Sequence, residues 1–292
     1  MDSRYLEEFR NRVKLYRSSR IQQLVKSPTR LVYAKILQAI AGLIQTPIKA
    51  QARTFWDQEM TMLFPEGMST FIFGFGFFEE GLTSMVLEYL RKGMTFFDVG
   101  AHFGYFTLLA SEIVGDDGRV RSFEPSESTF GILETNARRS NIRCEKLAVY
   151  SEPTYLKLRD YGVRFSGLNS VYDARADERT RRKLNPKQYS VEAVSIDQYV
   201  GETGVRPGFI KVDAESSERE ILRGMEETLH FYRPIVSLEV GDMNIKGVVC
   251  SRDLVLHMIN RGYQPLEYKG GEIREHTPLE RYGYDNILFL PK

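Results

Sequence analysis

Apolar and polar positions change their spacing twice along this chain. Up to about residue 60 the apolar residues recur near the helical period: Leu6, Phe9, Val13 and Leu15-Tyr16, then a second run over 31–44. Pro28 and Pro47 punctuate that pattern, which predicts two or three helices rather than one. Residues 71–78, Phe-Ile-Phe-Gly-Phe-Gly-Phe-Phe, alternate aromatics with glycine and suit a short strand or a loop of close backbone approach. Residues 81–91 read as a short amphipathic helix with Leu82, Met85, Val86 and Tyr89-Leu90 on its apolar side.

From residue 94 the texture becomes an alternation of strands and helices. Met94 to Val99 is a compact apolar strand, 104–114 a helix, 119–123 a second strand closed by Glu124-Pro125, 127–139 a helix and 142–149 a third strand. Further on come a strand at Phe209 to Val212, a helix from Glu218 to Leu229, a strand at Pro234 to Val240 and a helix over 251–261. Tyr263 to Tyr268 and Asn286 to Leu290 supply a closing antiparallel pair. Strands and helices at this spacing mean βαβ units and a parallel sheet. Residues 151–200 break the rhythm: Thr154 to Arg159 and Tyr189 to Val194 read as strands around a Gly-containing, basic segment, an inserted hairpin and lid.

Composition narrows the class. A chain of 292 residues, 42% hydrophobic and 27% charged, is of ordinary globular make-up, and a net charge of +1 argues against a dedicated nucleic-acid binder. Cys144 and Cys250 lie far apart with no CxxC pair, which supports neither a zinc knuckle nor a disulfide framework. No secretory signal is visible, the run 31–44 is too short to span a bilayer, and a cytoplasmic location is expected. Charge is uneven, however: residues 1–50 carry ten Lys/Arg against three Asp/Glu, and the rest carry 30 against 36. A basic, apolar-faced extension suits an anionic membrane surface at the inner face, a second subunit, or packing on the chain's own core.

The chemistry centres on an apolar strand, the run Asp98-Val99-Gly100-Ala101-His102-Phe103-Gly104, and a helix. Glycines allow a tight turn and close approach of a ligand, and the helix N-terminus offers N–H groups to a negative one. Asp98 is placed to position a cationic end of the ligand, directly or through water. Glu124, twenty residues beyond Gly104 at the end of the next strand, is placed to accept ribose hydroxyls. A nicotinamide dehydrogenase is the competing class, but its Gly-x-Gly-x-x-Gly fingerprint fails here because His102 occupies the second glycine position.

The sequence resembles the FkbM family of S-adenosylmethionine (SAM)-dependent methyltransferases. The resemblance rests on Phe97 to Thr107, Phe123-Glu124-Pro125, Asn136, Asn141, Ser195-Ile196-Asp197, Ile210 to Glu218 and Leu222-Arg223-Gly224, in order over roughly 72–240. Two positions depart from the family pattern: His102 where Asn is usual, and Ser216 where Gly is usual. The resemblance implies a class I Rossmann-like α/β core with a mostly parallel seven-stranded sheet over 71–292, carrying the 151–200 insert behind a helical extension at 1–70. It implies that SAM is held by Asp98, Gly100, Ala101, His102, Gly104, Phe106, Thr107, Glu124, Pro125 and Ser126, with Leu147, Ala148 and Val149 at the adenine. It further implies O-methylation of a sugar or other natural-product hydroxyl. The rivals are a polyketide-like hydroxyl and a non-catalytic SAM-binding scaffold.

A hydroxyl is a poor nucleophile until a base takes its proton. Candidates are Asp213 and Glu215 after the fourth core strand, Glu239 in the fifth, and His102. Asp213 and Glu215 also suit helix capping and the helix dipole, Glu239 an arginine pair, and His102 a hydrogen bond to cofactor or neighbour. Asp213, Glu215 and Glu239 together are possible, though not favoured, ligands of Mg²⁺. The stretch Arg175, Arg179, Arg181, Arg182, Lys183, Lys187 suits either an anionic acceptor or a solvated lid, and Gly167 to Ser170 precede it as candidate acceptor contacts. Glu79 and the aromatics at 71–78 are softer candidates for the pocket entrance.

Overall fold

A computed structural model describes every residue except 1–2, 27, 183, 243–244 and 246. Lys183, one of the basic residues singled out above, lies outside the described residues. Helices α1 (Ser3–Arg17), α2 (Arg20–Lys26) and α3 (Pro28–Ile44) open the fold. The expectation of helix to residue 60 is corrected beyond α3, because β1 (Ile48–Arg53) and β2 (Glu59–Phe64) form an antiparallel hairpin. In β1 the polar members Lys49, Gln51 and Arg53 are exposed and the apolar ones turn inward, the period-two signature of a strand. Residues 71–78 are also corrected: α4 (Gly67–Phe75) is a helix. Glu66 caps it by accepting from the N–H groups of Met68 and Ser69 at 2.8 and 2.6 Å, and Gly76 closes it at φ 74°.

The core follows as α5 (Glu80–Tyr89), β3 (Thr95–Val99), α6 (Tyr105–Val114), β4 (Arg119–Phe123), α7 (Glu127–Asn136) and β5 (Ile142–Glu145). The third strand expected at 142–149 is in fact split. Ala148–Val149 is a separate strand, β6, which pairs parallel with the insert strand β8 (Lys187–Val194), and β8 pairs antiparallel with β7 (Thr154–Asp160) on its other side. Between β7 and β8 lie a 3-10 turn (Val163–Leu168) and the short α8 (Glu178–Arg181). The remainder is α9 (Ile196–Thr203), β9 (Phe209–Val212), α10 (Glu218–Arg223), α11 (Glu226–Phe231), β10 (Ile235–Val240), α12 (Ser251–Asn260), β11 (Tyr263–Lys269), β12 (Glu272–Glu275) and β13 (Asp285–Pro291). The single helix expected over 218–229 breaks at Gly224, where a Cβ would meet the Tyr150 carbonyl oxygen at 2.1 Å.

The main sheet runs β12-β11-β13-β10-β9-β3-β4-β5. Strands β5, β4, β3, β9 and β10 are parallel, and β13 is inserted antiparallel beside β10. This is the doubly wound class I arrangement, with β12 as an eighth strand at the edge where seven strands were expected. Alternate residues face opposite sides: Phe96 and Phe209 join a core with α4, α5, α6, the hairpin and the inner faces of α1 and α3, while Phe97, Ile210 and Leu238 join a second core with α9 to α12. Phe9 of α1 and Ala34, Leu37 and Ala41 of α3 are buried in that first core.

Strand parity and register place the chemistry. Asp98, Lys211, Glu239 and Asn286 share parity with the first-core residues Phe96, Phe209 and Leu288. Asp98 pairs with Lys211, and Glu239 with Asn286, across the ladder. Four polar groups therefore line up on one face near the C-terminal ends of the parallel strands, the end where α/β sheets receive ligands.

Candidate active site

Above those strand ends lies a cavity. Its floor includes Val99, Gly100, His102, Glu124, Pro125, Ala148, Val149, Asp213, Ala214 and Glu215. Glu66, Met68, Phe78, Glu79 and Tyr284 wall one side, and the insert covers it with Leu156, Leu158, Ser166, Gly167 and 169–171. Among the described residues, no lysine or arginine lines it.

The glycine loop is fixed from beneath. Gly100 sits at φ 75°, and a Cβ there would come within 1.8 Å of the Asp213 carbonyl oxygen, so only glycine lets the two loops meet. Gly104, at φ 92°, precedes α6 and packs against Leu133. Asn136 joins the Phe103 carbonyl (2.8 Å) to the backbone of Thr61 in β2, tying the hairpin to the loop. Asn141 donates to the Ser111 and Gly115 carbonyls at the end of α6, and Asp197 accepts from the Glu227 and Thr228 N–H groups at the start of α11. These residues, which carry much of the resemblance, act as joints of the scaffold.

The expected cofactor residues divide into two groups. Gly100, His102, Glu124, Pro125, Ala148 and Val149 reach the cavity. Asp98, Ala101, Gly104, Phe106, Thr107 and Ser126 are not among the residues that line it. Asp98 is wholly buried, accepts from Thr107 Oγ1 at 2.7 Å and sits 3.1 Å from Lys211 Nζ, so its carboxylate secures the loop from behind. Lys211 also donates to the Gly100 carbonyl (3.0 Å), approaches Asp213 (3.4 Å) and lies over the Phe106 ring. Asp98 and Asp213 together hold its ammonium above the ordinary lysine range despite burial. Glu124 accepts from the His102 and Ser126 N–H groups and from Thr129 Oγ1 at 2.8, 2.9 and 2.8 Å, leaving acceptor capacity for one further donor.

His102 takes a left-handed backbone (φ 51°) and its Nε2 pairs with Ser166 of the insert at 2.8 Å. Its Nδ1 is buried without a partner. Burial lowers its pKa to about 4, with the Asp213 charge opposing, so at neutral pH the ring is uncharged and a weak proton acceptor.

The carboxylates gather at the other end. Asp213, Glu215 and Glu239 each bring an oxygen within 4.8 Å of the others. Glu239 reaches this cluster from a strand position with no exposure and is not among the lining residues. Arg175, reaching in from the insert, pairs with Glu239, with Glu218 at 2.9 Å, and with Ser216 Oγ at 3.0 Å. That fixes Arg175 as a buried partner of carboxylates instead of a free site for an anionic acceptor. Arg181 and Arg182 line a separate open pocket with Arg159 and Tyr161. Burial, and then the Asp213 charge, push Glu215 and Glu239 well above the usual carboxylate range.

Glu79 emerges more strongly than its sequence context suggested. Its oxygens accept from Tyr284 Oη and from Asn286 Nδ2 (3.3 Å). Burial, and then the Asp213 charge, raise its pKa to about 7. Lys211 and Tyr284 were missed as site residues, and Arg175 was expected at an anionic acceptor or in a solvated lid, where the structure pairs it with Glu218 and Glu239. A lysine in the apolar run Phe209-Ile210-Lys211-Val212 was the available signal for the first, since a buried ammonium needs carboxylates around it. Nothing local marks Tyr284, which arrives from 205 residues beyond Glu79.

A family profile described as the methyltransferase FkbM domain matches residues 98–284. The chain is similar to 31-O-demethyl-FK506 methyltransferase FkbM of Streptomyces tacrolimicus, 29% identical over 161 residues, covering 47% of this chain and 62% of that protein. It is similar to hexuronic acid methyltransferase AglP of Haloferax volcanii, 26% identical over 154 residues, covering 52% and 58%. In each case it spans about three fifths of the curated relative. Among solved structures, a methyltransferase FkbM from Methylobacillus flagellatus aligns with TM-score 0.41 at 16% identity, covering 75% of this chain and 52% of that one.

Proposed function

The chain belongs to the FkbM family of methyltransferases, and from that premise we propose that it moves a methyl group from SAM to a hydroxyl of a neutral, hydroxyl-rich acceptor, a sugar. The cavity suits the cofactor. Leu147, Ala148, Val149, Leu156 and Leu158 offer an apolar wall for a purine, Glu124 a carboxylate for ribose, and the unpartnered His102 Nδ1 a polar contact. When bound, SAM supplies a sulfonium-activated methyl group.

The remaining work falls to the acceptor side. Asp213, held by Lys211, orients the hydroxyl as a hydrogen-bond acceptor. Glu79, with its pKa raised to about 7, takes the proton near neutral pH. Asp213 is placed in orientation and Glu215 and Glu239 in setting the field, while His102 is assigned to the cofactor and not to proton transfer.

One observation carries the choice of acceptor: the polar lining includes Glu79, Asp213, Glu215, Asn169, Ser170 and Tyr284, and among the described residues it has no lysine or arginine. Such a wall accepts hydrogen bonds from hydroxyls and offers no lysine or arginine to hold a carboxylate, which separates this reading from a uronic acid acceptor such as the one named for the Haloferax relative. Labelled-methyl transfer from SAM to matched panels of neutral sugars, uronic acids and macrolide alcohols tests it. Incorporation into neutral sugars is expected. Incorporation confined to uronic acids or to macrolides overturns the acceptor assignment.

A further inference from the structure

Around Lys211 and Arg175 stand six carboxylates: Glu79, Asp98, Asp213, Glu215, Glu218 and Glu239. Two cations leave this group with a large negative excess in a poorly solvated place, which is costly unless protons or another cation offset it. Asp98 and Glu218 are already satisfied, by Lys211 with Thr107 and by Arg175 with the Ser216 N–H (3.1 Å). Of the other four, Glu79 accepts from Tyr284 and Asn286. Asp213, Glu215 and Glu239 remain, sharing what Lys211 and Arg175 have left, and their ligand oxygens lie within 4.8 Å of one another. Independently, Glu239 Oε1 is buried without a partner although its other oxygen is held by Arg175, and Glu215 Oε2 is likewise buried and unpartnered. Hard oxygen ligands with no His or Cys suit Mg²⁺ or Mn²⁺, which take few carboxylates and keep the remaining positions for water or substrate oxygens.

We propose that Asp213, Glu215 and Glu239 form a divalent-cation site at the acceptor end of the cavity. The proposal deepens the methyltransferase reading and rests on it, but cation binding is measurable without turnover. Metal-stripped full chain is titrated with Mn²⁺ and free Mn²⁺ is followed by electron paramagnetic resonance, with S-adenosylhomocysteine titrated into the same samples by calorimetry. One Mn²⁺ site is expected, weakened about tenfold or more in Glu215→Gln and in Glu239→Gln and unchanged in Glu127→Gln on the exposed side of α7. Circular dichroism identifies any variant that fails to fold, and Glu215→Gln, on a loop, is the one expected to fold. No Mn²⁺ binding to the folded wild-type chain overturns the proposal, as does binding that Glu215→Gln leaves unchanged. If S-adenosylhomocysteine still binds in that case, the methyltransferase reading stands.

A separate surface carries a second inference. Ile21 and Val25 of α2, and Val32, Tyr33, Ile36, Ile40, Leu43 and Ile44 of α3, are exposed, three of them by 74% or more. Buried Ala34, Leu37 and Ala41 hold the opposite side of α3 on the core, so this outer stripe is left over. No Asp or Glu occurs between Glu8 and Asp57, while Arg20 of α2, Lys35 of α3 and Lys49 just beyond it are exposed. Such a face is drawn to an anionic surface, whereas two copies of it facing one another would repel. No single helix among the described residues is long and apolar enough to cross a membrane. We infer that α2 and α3 seat the protein on an anionic lipid surface. Co-sedimentation with phosphatidylglycerol-containing vesicles is expected at low salt and not with phosphatidylcholine alone, and Ile36→Glu with Leu43→Glu is expected to cut it about tenfold. Absence of binding to the anionic vesicles overturns the inference, as does concentration-dependent dimerisation that the same double variant abolishes.

Discussion

Lys211 Nζ lies 3.1 Å from Asp98 Oδ1, and the two residues are direct partners across the parallel β3–β9 ladder. The ion pair is buried and also holds the Gly100 carbonyl, so it joins the sheet to the glycine loop. Replacing Lys211 by Met leaves Asp98 charged and unmatched in the core. Such losses cost about 3–5 kcal/mol, and urea unfolding of Lys211→Met should show a drop of that order. A variant as stable as the wild type would show that Lys211 is not what balances Asp98.

Gly100→Ala tests the contact on the other side of the loop. A Cβ at Gly100 would meet the Asp213 carbonyl at 1.8 Å, and the backbone there is left-handed. The expected result is a weakening of S-adenosylhomocysteine affinity by about a hundredfold, with a loss of about 1–3 kcal/mol in stability, both read from the same purified protein.

His102→Asn should retain methyl transfer within about tenfold, because a ring whose pKa is lowered to about 4 contributes little as a base and Asn tolerates φ 51°. A variant that binds S-adenosylhomocysteine normally yet has lost turnover would return His102 to the proton-transfer step.

The pH dependence separates Glu79 from the rest. Its pKa is raised from 4.5 to about 7 by burial and the Asp213 charge. The native state then holds a proton that the unfolded chain has released between those values, so this group's contribution makes stability fall as pH rises from 4.5 through 7. Glu79→Gln should remove that part of the slope. In turnover the same ionisation runs the other way: the wild-type rate should rise with pH through about 7, and Glu79→Gln should be slow with that limb gone. An unchanged rising limb in Glu79→Gln would assign the proton to another group.

Much of this arrangement was legible in the sequence, and each exception has its own physical reason. The strand at 95–99, the loop through Gly104, Glu124 at the next strand end and the Asp213 loop follow from local signals, namely apolar runs, glycines and acids at strand termini. The hairpin at 48–64 escaped because Ala50 and Ala52 are weakly apolar and the alternation sits directly after α3. The helix at 67–75 was hidden by aromatics and Gly74, and its actual mark is the Glu66 cap. Glu239 was legible as either near the site or paired with an arginine, and both hold. The pairings Arg175–Glu239, Tyr284–Glu79 and Lys211–Asp98 bridge 64, 205 and 113 residues, and no local pattern encodes such contacts.

The most direct test is calorimetric titration of the full chain with S-adenosylhomocysteine, on wild type and on Asp213→Ala, with NADH as control and methyl transfer assayed alongside. The account predicts one saturable site in both proteins, no binding of NADH, and methyl transfer lost only in Asp213→Ala. No binding of S-adenosylhomocysteine by wild-type protein that circular dichroism shows to be folded would contradict it.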